Sequence, residues 1–164
     1  MAIRRYVASA DNTISNAFKE NLSTRATGSN MGQADVSEVF SIYAQQSTAS
    51  VELSRILIQF PLSQAITDRK SNVLEASGSV TWKLKLYNAK HSETVPKSYD
   101  LQISAVSASW EEGTGRYSNL PTGSNGASWK FRNNTIIKHE WRTSSFAPGS
   151  TGSIDSASPI TQGG

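Results

Sequence analysis

Cysteine is absent from this 164-residue chain, which excludes disulfides and thiolate metal sites. Histidine is scarce, with only His91 and His139. His91 lies in a polar stretch, and His139 sits between Lys138 and Glu140. Neither has the His-x-His or Glu-x-x-His spacing that builds a zinc site. No uninterrupted apolar stretch is long enough to span a bilayer. The opening MAIRRYVASADNTI carries two arginines but no apolar segment of signal-peptide length. The expectation is a soluble product made in the cytoplasm. Charge is sparse as well: the net value is +3 and the sequence pI about 9.3. Basic residues are scattered, the tightest groups being Arg4-Arg5 and the alternating Lys83 and Lys85. Phosphate-backbone binding calls for a concentrated patch, so neither nucleic acid nor membrane is an expected partner.

Reactive constellations are equally thin. Glu111 and Glu112 are the nearest approach to an acid–base pair, but neighbours on a strand point to opposite faces and do not converge on one substrate atom. Gly113-Thr114-Gly115 is too short for a dinucleotide or phosphate loop and precedes no helix signal. Asp11, Asn12 and Asp35 are oxygen donors of the kind calcium takes, without the dense Asp-x-Asp-x-Asp cluster of a dedicated site. The chain is therefore expected to lack enzymatic activity and to need no cofactor.

What is present is a succession of short alternating apolar runs. Apolar residues make up 37% of the chain, while 27 serines, with glycine and asparagine, fill the stretches between the runs. That composition suits strands with one covered face, joined by loops. Tyr6–Ala8 and Thr13–Ile14 open the series, followed by a polar loop over Asn21–Gly32. Val36–Ala44 is apolar on both parities. In Ser54–Leu62, Ile56, Ile58 and Phe60 share one face and Arg55, Leu57 and Gln59 the other, until Pro61 ends the ladder. Ser63–Ser77 fits either a helical turn or a long loop.

Val80–Asn88 carries the cleanest alternation, with Val80, Trp82, Leu84 and Leu86 predicted inward and Thr81, Lys83, Lys85 and Tyr87 outward. Lys90–Ser98 is a polar connection. Tyr99, Leu101 and Ile103 alternate again, in a run that continues to Trp110. Gly113–Gly126 is a long loop, Ala127, Trp129 and Phe131 form another alternating face, and Ile136–Trp141 is the next strand. Seven to nine short strands without a long helix predict an all-β domain, a jelly-roll-like antiparallel sandwich, over residues 1–142. The four tryptophans are expected in core and rim packing. Residues 143–164, rich in Ser and Gly, form a tail.

An ordered set of segments resembles the DNRLRE-type β-sandwich family: ADNTI at Ala10–Ile14, NMG at Asn30–Gly32, SRILIQFPLS at Ser54–Ser63, VTWKLKLYNA at Val80–Ala89, SASWEEGTG ending at Gly115, GASWKFRNN, and the strand ending in Trp141. The likeness covers roughly residues 6–142. The chain departs from the family in its Leu53-Ser54-Arg55 lead-in and in a long insert over Ala65–Ser79. The resemblance implies a sandwich in which Trp110, Glu111, Gly113, Thr114, Gly115, Trp129 and Trp141 are structural. Its motif glutamate is expected to bond loop N–H groups after Trp110. Some bacterial members are taken to bind polysaccharide, and similar domains are common among phage structural proteins. A domain beginning near Met1 without a signal peptide or an attached catalytic domain fits the second group.

The expectation is therefore a bacteriophage virion protein in a decoration, collar, tail or fibre-anchoring role. It is made in the host cytoplasm and assembled into the virion, with itself and other virion proteins as partners. Arg4 and Arg5, with Phe146, Ile154 and Ile160 in the tail, are the expected assembly contacts. The alternative is a carbohydrate-binding module, with Tyr87 and Tyr117 as the rings that would stack on a polysaccharide.

Overall fold

The computed structural model describes residues 3–43, 51–75, 80–91, 98–106, 108–116, 125–134 and 138–141. Within them the elements run β1 (Ala10–Ser15), β2 (Ser41–Tyr43), β3 (Val51–Gln59), α1 (Leu62–Lys70), β4 (Phe131–Asn134) and β5 (Lys138–Glu140). The pairing is antiparallel, and the one helix is short. Two compact units are present: Met1–Ser9 with Gln59–Leu101, and Ala10–Ile58 with Gln102–Gly164.

In the larger unit β3 is the middle strand of a three-stranded sheet ordered β1-β3-β2. β2 pairs with it through Ser41↔Leu53, Ile42↔Glu52 and Tyr43↔Val51. On the other side the Asn16 N–H donates to Leu53 O at 3.1 Å, and the Leu53 N–H to Asn16 Oδ1 at 2.6 Å. A second sheet pairs β4 with β5, with a register irregularity between Phe131 and Asn133.

The core of this unit is Ile14, Leu57, Ala127, Trp129 and Trp141, with Leu53, Val106 and Trp110 packed against it. On β3 it is therefore the parity of Leu53, Arg55 and Leu57 that meets the core. The Arg55 guanidinium lies 4.7 Å from the Trp129 ring centroid, a cation–π contact that lets a charged residue occupy this face. Partial burial lowers the Arg55 pKa. The opposite parity is also covered near the strand start. Buried Ser54 accepts the Phe40 N–H and donates to Glu38 O, and Glu52 accepts the Phe18 N–H.

Several expectations change in the structure. Of Ser63–Ser77, residues 76–77 lie outside the described ones, and the residues up to Lys70 are helical, in α1, which begins directly after Pro61. Arg69 and Lys70 in its last turn face the negative end of the helix dipole, and Asn72 follows at φ 56°, a left-handed residue that stops it. Of Val36–Ala44, the described residues 36–43 have strand geometry at Ser41–Tyr43 alone, Ala44 lies outside the described residues, and Tyr6–Ala8 is not a strand. The largest difference is at Val80–Asn88 and Tyr99–Ile103, neither of which joins a ladder. Trp82, Leu84, Leu86, Tyr99, Leu101 and Ile103 are all exposed. Alternation encodes an apolar face, but a strand also needs a neighbour to take its backbone hydrogen bonds. Trp82 is therefore not a core residue; its ring contact is with Tyr6, centroids 6.1 Å apart.

Candidate functional site

Three segments that lie far apart in sequence meet at one buried amide. Asn30, from the NMG segment, is fully buried. Its Nδ2 donates to Glu112 O at 2.6 Å and to Ala127 O at 2.8 Å. Its Oδ1 accepts the Gly115 N–H at 2.9 Å and the Gly32 N–H at 3.2 Å. A carboxamide offers two donors and two acceptor sites, and all four are used.

A second buried amide repeats the device from β1. Asn12 donates from Nδ2 to Ala127 O at 2.8 Å and accepts the Met31 N–H on Oδ1 at 3.0 Å. The Ala127 carbonyl thus accepts from both asparagines, and its own N–H donates to Glu111 O at 2.6 Å. The chain path explains why glycines line this clasp. Gly113 has φ +81°, and a Cβ there would strike Asn125 O and the Asn30 amide. A Cβ on Gly115 would strike the Asn30 carbonyl.

The two adjacent glutamates serve different strands. Glu112 Oε1 accepts the Asp11 N–H at 3.0 Å, and Glu111 Oε1 accepts from Asn133 Nδ2 at 2.7 Å. The Glu111 carboxylate, expected to bond loop N–H groups, instead takes the Asn133 side chain, and the Gly115 N–H of that loop is taken by Asn30. Thr114 Oγ1 donates to Asn125 Oδ1 at 2.7 Å. Trp129 and Trp141 are core residues, and Trp141 Nε1 donates to Ser128 O at 2.8 Å, so its one polar atom is satisfied. Trp110 is half-buried at the rim.

Beside the clasp, Ser109, Trp110, Glu111, Arg132 and Asn133 line an open recess of about 240 Å³. Its polar groups engage one another: Arg132 Nη1 donates to Ser109 O at 3.0 Å, opposite the Glu111–Asn133 bond. Of the oxygen donors considered for calcium, Asn12 Oδ1 takes the Met31 N–H and Asp11 Oδ2 the Ser37 hydroxyl, while Asp35 is exposed. Among the described residues no group of three or more His, Asp or Glu could hold a metal ion.

In the smaller unit Arg4 Nε lies 3.7 Å from Asp68 Oδ2, and Arg5 is exposed. Tyr6 donates to the same Asp68 oxygen at 2.7 Å. That hydrogen bond raises the phenol's pKa, aided by desolvation and the carboxylate charge. Tyr87 is exposed, with Lys85 Nζ 4.8 Å from its ring centroid. Tyr117, Phe146, Ile154 and Ile160 lie outside the described residues. Asn30 went unnoticed in the sequence as a functional side chain, and Asn12 was weighed only as an oxygen donor. The available signal was that each stands in a short segment placed in the same order as the glycine motif.

Comparison with known proteins adds no relative: no family model, no curated protein and no solved structure matches the chain. Among the described residues no helix is long and apolar enough to cross a membrane. The described residues define a β-rich, antiparallel class of protein, with one short helix among them.

Proposed function

We propose that this chain is a non-enzymatic structural protein of a bacteriophage virion, a jelly-roll-like sandwich acting through protein–protein contacts in a decoration, collar, tail or fibre-anchoring role. The observation that carries this reading is the set of large apolar side chains exposed along Val80–Tyr87 and Tyr99–Ile103. Large exposed apolar side chains concentrated in two short segments favour a surface that meets another protein. The resemblance to DNRLRE-type domains, through the segments that converge on Asn30, supports the sandwich and the phage setting. Glu111 and Glu112 support a structural role, since each carboxylate accepts a hydrogen bond that joins two segments. On this reading the chain is made in the host cytoplasm and its partners are itself and other virion proteins.

The test is to express a tagged copy during infection and purify particles on a density gradient. Quantitative mass spectrometry should then find the chain at a fixed number of copies per particle. Loss of the chain during the gradient would sink the reading. A second reading, a carbohydrate-binding module, draws on exposed Tyr87 with Lys85 beside its ring. Sub-micromolar binding on a glycan array, abolished by Tyr87→Ala, would establish it instead.

A further inference from the structure

Every residue of 81–87 and of 98–104 is exposed, on both parities, and neither segment is in a ladder. Trp82, Leu84 and Leu86 are 57%, 43% and 54% exposed; Tyr99, Leu101 and Ile103 are 59%, 46% and 73% exposed. Each segment thus offers three apolar side chains at a spacing of two, together with unpaired strand-forming backbone.

We propose that Val80–Tyr87 of one chain pairs antiparallel with Tyr99–Ile103 of a second copy, with Leu84 opposite Leu101. The pairing rests on the assembly reading above and names the surface that would carry it. The register follows from the two patterns. Setting Leu84 against Leu101 places Trp82 opposite Ile103 and Leu86 opposite Tyr99, so all three apolar pairs fall on one face. The same register places Lys85 opposite Asp100 and Lys83 opposite Gln102 on the other face, so the one acidic residue of the second segment meets a lysine. The apolar pattern selects this alignment, since it alone pairs all six exposed apolar side chains, and the charges agree with it. A two-fold axis then generates the pairing twice, each copy giving one segment and receiving the other, which closes the dimer. Cross-strand pairs of these kinds are the units that stabilise a sheet, and two ladders double their number.

Sedimentation velocity across a wide concentration range should show a reversible dimer of the full chain. Leu84→Lys should leave a monomer with an unchanged far-UV circular dichroism spectrum, because this side chain is already exposed. Lys85→Asp should weaken dimerisation about tenfold, since it faces Asp100 with a like charge in both ladders. Adding Asp100→Lys to that variant should restore it. Hydrogen exchange should show the amides of Trp82–Leu86 gaining protection as concentration rises. A monomer at every concentration, a charge swap that fails to restore, or protection that ignores concentration would each overturn the pairing, the last by placing it within one chain. Particle incorporation separates the two proposals. A monomer that still enters particles overturns this surface alone, whereas a dimer never found in particles overturns only the virion role.

Discussion

The Asn30 clasp and the Val80–Tyr87 segment are opposite ways of using sequence pattern. The clasp holds four segments together with two buried amides and has little periodicity to announce it. Val80–Tyr87 has the most regular alternation in the chain and is exposed throughout, apart from half-buried Val80. The comparison separates two requirements that sequence reading merges. An apolar stripe states what a segment would bury, whereas burial itself depends on what the rest of the chain brings alongside. A fully bonded polar side chain supplies that meeting point directly, because every unmatched partner left behind carries a desolvation penalty.

The sharpest way to break the contrast is Asn30→Leu. It keeps the volume approximately but strands the Glu112 carbonyl and the N–H groups of Gly32 and Gly115, and leaves the Ala127 carbonyl to Asn12 alone. The expected loss is about 4 kcal/mol in urea denaturation. A loss under about 1 kcal/mol would mean that water replaces the amide and the clasp is not a lock. Trp129→Ala comes next, at about 3 kcal/mol, since the ring is buried in the core and carries the Arg55 contact. By contrast Trp82→Ala should cost under about 1 kcal/mol in the monomer, because more than half of that residue is already in water. Equal losses at Trp82 and Trp129 would erase the distinction between the two regions.

The smallest effect is at Tyr6. Its neutral phenol is the form that donates to Asp68, so its folded pKa lies above the ordinary 10.0. The contact's stabilisation is fully present below that ordinary value and is lost as pH rises through the raised one. The difference in tyrosinate absorbance between the intact chain and Tyr6→Phe should therefore titrate above pH 10. With Asp68→Asn in both proteins the midpoint should fall. A Tyr6 midpoint at or below 10 would show the hydrogen bond absent in solution.

How far the fold was legible follows the same division. The β3 strand and its end before Pro61 were readable, because alternation and a missing N–H are local signals. Which face of β3 meets the core was not, since Arg55 beside Leu57 looks like a solvent face until Trp129 is placed against it. The buried positions of Trp129 and Trp141 matched the expectation that tryptophans pack, while Trp82 did not. Glu111 was the glutamate marked as structural by the motif, whereas the acceptor role of Glu112 toward Asp11 joins residues 101 apart, a separation no local pattern encodes. The clasping role of the two asparagines was hidden for the same reason. Asn is a common loop residue, and only three-dimensional closure distinguishes Asn30 from the others.

Those separations also bear on when the fold can become locked. Asn30 reaches Glu112 across 82 residues and Ala127 across 97, and Asn12 reaches Ala127 across 115. Contacts of such range require large loops to close before any stabilisation is returned, which slows folding. During synthesis the amides of Asn12 and Asn30 emerge long before the carbonyl they share. A nascent chain that has passed β3 carries both donors with no acceptor, and it stays open until the residues around Ala127 leave the ribosome. The clasp thus acts as a completion signal, formed only when nearly all of the β-rich region has been made.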